Sequence, residues 1–108
     1  MDRPEEYETT IMLNVSFIKL TELPSWVSEC KNLEKLECNN NKITQLDNLP
    51  LTLEELGCSE NQIAHLDNLP YNLKLLYSLN NPLKYDFEPT LENIRNYITQ
   101  NTKIENWF

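Results

Sequence analysis

Glycine is almost absent from this chain: Gly57 is the one instance in 108 residues. A single glycine cannot build the glycine-rich loop that cradles a phosphate, so that class of nucleotide site is excluded. Histidine is as scarce. His65 stands alone, in a different segment from Cys30, Cys38 and Cys58, and these three cysteines do not follow zinc-ligand spacing. Basic residues number 9 against 17 acidic ones, for a net charge of −8, and no basic run occurs. Binding to nucleic acid or to an anionic membrane needs clustered Lys and Arg, so neither is expected as a partner. The acidity supports solubility and can steer a basic protein partner, with most of it on solvated surface. No stretch approaches the roughly 18 apolar residues of a membrane span. The first ten residues lack the apolar core and cleavage site of a signal peptide. With an odd number of cysteines, the expectation is an intracellular, cytoplasmic protein with reduced thiols.

What the chain has instead is a phrase repeated at a period of 20 residues. Leu33-x-x-Leu36-x-Cys38-x-x-Asn41-x-Ile43-x-x-Leu46-x-x-Leu49-Pro50 returns as Leu53-x-x-Leu56-x-Cys58-x-x-Asn61-x-Ile63-x-x-Leu66-x-x-Leu69-Pro70. It begins again at Leu73-x-x-Leu76-x-Ser78-x-x-Asn81-x-Leu83. A fixed period of this length marks a stack of coils, each too small to bury its own apolar face. A divergent first coil, Leu13-x-Val15-x-x-Ile18-x-Leu20-x-x-Leu23-Pro24, aligns Leu13 with Leu36 and is 23 residues long. Its extra length holds Val27, Cys30 and Leu33 at a spacing of three, which predicts a short helical or 3₁₀ turn. The shorter coils are expected to run extended there, through Asp47-Asn48-Leu49-Pro50 and Asp67-Asn68-Leu69-Pro70.

Leu36-x-Cys38 and its copies alternate inward and outward, as a short strand requires. Stacking pairs these strands into a parallel sheet over a core of Leu33, Leu36, Ile43, Leu46, Leu49 and their copies. Asn41, Asn61 and Asn81 form a structural ladder: an inward amide can satisfy the peptide groups of its own turn and of the next coil. The first coil has Ile18 at that place, with no earlier coil to join. Asparagine is also expected to supply the left-handed turn positions, as in Asn39-Asn40-Asn41 and Asn80-Asn81. Residues 1–10 read as an N-terminal flank and residues 11–86 as the repeats. Residues 87–108 read as a cap and tail, with an amphipathic helix predicted over 89–101 that presents Leu91, Ile94 and Ile98 on one face.

These phrases resemble the leucine-rich repeat family, in its short 20-residue class. The Leu-Pro-x-x-Leu-x-x-Leu pattern is similar to repeats of secreted bacterial effectors. The inward Cys and the Leu-Asp-Asn-Leu-Pro segment are similar to repeat proteins of giant amoeba viruses. The resemblance implies an α/β solenoid with a curved parallel sheet, a mostly irregular convex side and a C-terminal capping helix. It also implies protein binding on the concave sheet face, in a host cytoplasm if the chain is viral or an effector.

Little in the sequence points to catalysis. Ser59, His65 and Asp67 have the residue types of a hydrolase triad, but the coil scatters them. Glu5-Glu6 lies in what reads as a flexible tail, and Glu54-Glu55 are strand neighbours that alternate faces, so neither pair suits acid–base work. The cysteines read as small core side chains. No enzyme activity, cofactor or metal is expected.

Alternation leaves three outward columns on the sheet: Met12, Lys35, Glu55, Leu75; Asn14, Glu37, Gly57, Tyr77; and Ser16, Asn39, Ser59, Leu79. Three coils are polar there and the fourth is apolar. Leu75, Tyr77 and Leu79 are therefore candidate anchors for a protein partner, with Glu37, Glu55 and Lys35 setting charge preference and Asn39 and Ser59 beside them. Two alternatives stay open. The C-terminal tail can cover the patch with Ile104, Trp107 or Phe108, or copies of a structural protein can self-assemble through the apolar last coil or the open sheet edge. A monomer is expected, with a homodimer as the variant.

Overall fold

The structure, a computed structural model, describes residues 1–103. Four three-residue strands, β1 (Met12–Asn14), β2 (Lys35–Glu37), β3 (Glu55–Gly57) and β4 (Leu75–Tyr77), form one parallel sheet in the order β1-β2-β3-β4. Helix α1 (Leu91–Lys103) follows them. Leu13, Leu36, Leu56 and Leu76 share one register row across the sheet, which is the alignment that the repeats predict. The arrangement is α/β and solenoid-like: each crossover returns the chain beside the strand it has just left.

The core lies behind the sheet. Leu33, Leu36, Cys38, Ile43, Leu53, Leu56, Cys58 and Ile63 are fully buried, each large aliphatic contributing on the order of 2 kcal/mol before entropy is subtracted. Leu49 and Leu69 are only partly buried, whereas Pro50 and Pro70 are inside. Each proline carbonyl accepts from the amide three residues on, Leu53 N to Pro50 O and Leu73 N to Pro70 O, both at 3.1 Å. The Leu-Pro pair thus opens the turn into the next strand. The stretch before it is not uniformly extended. Asn48 has a φ of 59° and Asp67-Asn68 is a turn, because a 20-residue coil must reverse direction in few residues. The longer first coil carries a 3₁₀ helix, Ser25–Glu29, with Trp26 and Val27 buried.

Both ends are covered. Residues 5–9 form turns rather than a flexible tail. Arg3 lies 4.0 Å above the Tyr7 ring and pairs with Glu29 at 3.0 Å, while Trp26 Nε1 donates to Met1 O at 3.1 Å. At the other end α1 starts two residues later than the sequence suggests. Thr90 caps it, its hydroxyl accepting from Asn93 N at 3.1 Å. Ile94 is fully buried, and Leu91 and Ile98 pack against the core. Arg95 donates to the carbonyls of Tyr71 and Leu73, which ties the helix to the last repeat. Tyr85, Phe87 and Tyr97 form an aromatic cluster, with centroids 4.9 Å apart for Tyr85–Phe87 and 5.4 Å for Tyr85–Tyr97. Ile104, Trp107 and Phe108 lie outside the described residues. No helix among the described residues is long and apolar enough to cross a membrane.

Candidate interaction surface

A turn follows each strand, and its inward peptide groups have no strand partner. The ladder asparagines meet them. Asn61 Nδ2 donates to Cys38 O (2.9 Å), Cys58 O (3.1 Å) and Ser59 O (3.2 Å), and its Oδ1 accepts from Ile43 N at 3.1 Å. Asn81 repeats the pattern on Cys58, Ser78, Leu79 and Ile63. Asn41 joins Val15, Cys38 and Asn39, and accepts from Ile18 N and Leu20 N. Each amide therefore joins its own turn to the coil before it, not to the coil after it. Among the described residues no coil precedes the first, and Ile18 stands at the asparagine position there.

The left-handed turn position is Phe17, Asn40, Glu60 and Asn80 in the four coils, with φ between 56° and 61°. Asparagine fills only two of the four. Phe17 and Glu60 occupy backbone that disfavours a bulky side chain, and Gly57 does not adopt it.

On the outward face, strand register places Lys35 beside Glu55 and Glu37 beside Gly57. Lys35 Nζ lies 3.0 Å from Glu55 Oε2 and 3.8 Å from Glu37 Oε1. The hydrogen bond that Lys35 donates to Glu55, then the charges of Glu55 and Glu37, hold the ammonium above its usual range. The three charges read from sequence as a selectivity rim are thus one cluster, two carboxylates about one cation.

The third column is also internally bonded. Asn39 N donates to Ser16 Oγ at 3.0 Å, Ser59 N to Asn39 Oδ1 at 2.9 Å, and Leu79 N to Ser59 Oγ at 3.2 Å. Asn39 and Ser59 therefore join one coil to the next, a second ladder on the face opposite the first. Sequence reasoning placed these residues in one column but not in a bonded series; three small polar side chains at one repeat position were the available signal. Gly57 is buried rather than open, because the Asn39 amide folds over it. A Cβ at Gly57 would meet Asn39 Nδ2 and Oδ1 at 3.2 Å.

The second ladder ends at Leu79, whose side chain carries no acceptor. Leu79 is 75% exposed, Leu75 47% and Tyr77 53%. They form an apolar row directly beside Glu55, Gly57 and Ser59.

The remaining candidates are inward or scattered. Cys30, Cys38 and Cys58 are buried free thiols. Burial pushes the Cys38 thiol up to about 12, and Cys58 is raised further by burial and by Cys38, which opposes thiolate chemistry. His65 is exposed and lies edge-on to Tyr85 with centroids 6.0 Å apart. Among the described residues no group of three or more His, Cys, Asp or Glu could hold a metal ion.

A family model described as Leucine Rich repeats (2 copies) matches residues 11–51. The match takes in β1, β2, the crossover between them and most of the one after β2, and stops before β3. No curated protein and no solved structure matches the chain. A leucine-rich repeat region is, in general terms, a protein-interaction module.

Proposed function

We propose that this chain is a non-catalytic module that binds a protein partner through the outward sheet face, which is the concave side of a curved solenoid. Leu75, Tyr77 and Leu79 supply the apolar contact, and the Lys35, Glu37 and Glu55 cluster selects for charge. The observation that carries this reading is the exposed apolar row on β4. The same positions on β2 and β3 hold Lys35, Glu37, Glu55 and Gly57, none of them a large apolar residue, so strand packing does not account for the change. Asn39 and Ser59 contribute as the floor of the face. Three unpaired thiols support a reducing compartment. Kinship with effector or giant-virus repeats belongs to this proposal and rests on the repeat phrase alone.

The test compares wild-type protein with Tyr77→Glu in a pull-down from cell extract, after circular dichroism has established that both are folded. Capture by the wild type and its loss in the variant is the expected result. Equal capture would move the site off β4. Self-association through the open edge of β4 is the competing reading, since the sheet order ends at that strand. Light scattering that gives a monomer over a wide concentration range would count against it.

A further inference from the structure

The outward face contains one carboxylate with only partial compensation. Lys35 serves both Glu55 and Glu37, and the Glu55 contact is the shorter. The Glu37 side chain is also the more open, 39% exposed against 27% for Glu55. Any partner that covers the face strips water from Glu37, and a carboxylate desolvated without a counter-charge is strongly unfavourable.

Beside Glu37 the row carries no charged or large side chain until Tyr77. Glu37, Gly57 and Tyr77 are consecutive in one register row. Gly57 projects no side chain, and the Asn39 amide lies over it, between Glu37 and Tyr77 in the row. Two strand spacings set those two residues roughly 10 Å apart at the backbone. Tyr77 is 53% exposed at the far end of this row. A carboxylate on one side of Gly57 and an exposed aromatic ring on the other suit a guanidinium, which can pair with the first and stack on the second. A second copy of this chain suits the face poorly, because each copy carries a net charge of −8.

We propose that the occupant of the face is a partner segment that presents an arginine flanked by apolar side chains. The guanidinium lies between Glu37 and Tyr77, and the apolar neighbours pack on Leu75 and Leu79. This inference rests on the reading of the outward face as the binding surface.

The probes are short peptides in which leucine alternates with arginine, with lysine, with citrulline (the neutral isostere of arginine) or with glutamate. Each is titrated into the isotopically labelled full chain and followed by amide chemical shifts. The arginine peptide should bind about tenfold tighter than the citrulline peptide, the yield of one charge-assisted pair, and the glutamate peptide should bind weakest. Shifts should centre on Glu37, Gly57 and Tyr77. Glu37→Gln should abolish the preference for arginine over citrulline, while Tyr77→Leu should retain apolar binding and narrow the preference for arginine over lysine. Failure of the arginine peptide to bind would overturn the proposal, as would a preference that survives Glu37→Gln. Equal binding of all four peptides, with shifts on Leu75 and Leu79, would overturn the arginine and leave the face. Sedimentation showing a dimer that the peptides do not dissociate would replace the peptide with a second copy. If no peptide perturbs the face and Tyr77→Glu leaves partner capture unchanged, the binding reading itself falls.

Discussion

Leu56 in β3 is fully buried with a strand on each side, whereas Leu76, its equivalent in β4, is partly exposed and paired on one side only. The same contrast runs through both faces. Behind the sheet Asn61 is buried while Asn81 is partly exposed. In front, Asn39 and Ser59 bond forward to the next coil, while the Leu79 side chain has no acceptor with which to continue the series. A middle coil is thus committed to its neighbours on both faces. The fourth coil has only one coil to satisfy, and what it presents on the other side is apolar on the outward face and aromatic at the cap.

The largest test of this contrast is the paired substitution Asn61→Ala and Asn81→Ala. Asn61→Ala removes four hydrogen bonds and orphans buried groups of two coils. A loss of about 3 kcal/mol is expected, and about half of that for Asn81→Ala. Urea unfolding followed by circular dichroism measures both; equal losses would break the distinction between middle and terminal coils.

The cap of the fourth coil comes next. The Tyr85 hydroxyl donates to Asp67 Oδ1 at 2.6 Å and accepts from Leu66 N at 2.7 Å. Tyr85→Phe should cost about 1–2 kcal/mol. Burial, then the bond to Asp67, push this hydroxyl from 10.0 up to about 12. The folded state holds the proton more tightly than the unfolded chain, so this contribution is whole below pH 10.0 and is lost as pH rises toward about 12. Cys38 acts in the same direction from 9.0 up to about 12. Urea midpoints across that range should fall in both proteins, and Tyr85→Phe should fall less steeply above pH 10.0. Parallel slopes would remove Tyr85 from the alkaline transition.

The smallest effect has the opposite sign. Phe17 is 75% exposed and, like Glu60, sits in left-handed backbone. Phe17→Asn and Glu60→Asn should each stabilise the fold by about 0.5–1 kcal/mol by relieving that conformation. Glu60 accepts a surface hydrogen bond from Asn80, so its gain should be the smaller. Thermal midpoints that do not rise would show that the turn tolerates these side chains without strain.

The repeat period determined a great deal by itself: the four strands, their register and the inward leucines. These follow from alternation and spacing, which are properties of the backbone and are the same in every coil. The amphipathic spacing of Leu91, Ile94 and Ile98 likewise located the helix, to within two residues at each end. The outward columns were legible as columns. Their internal bonding was not, because whether Asn39 faces water or the amide of Ser59 depends on the rise between coils, which no single coil encodes. For the same reason only the tertiary structure decided that the asparagine ladder joins each coil to the one before it. It also buried Gly57 beneath Asn39, drew Lys35 between two carboxylates and placed Tyr85 over Leu66 and Asp67. Apart from the Lys35–Glu37 pair within one strand, each of these is a contact between groups about 20 residues apart, brought together by the stacking of coils.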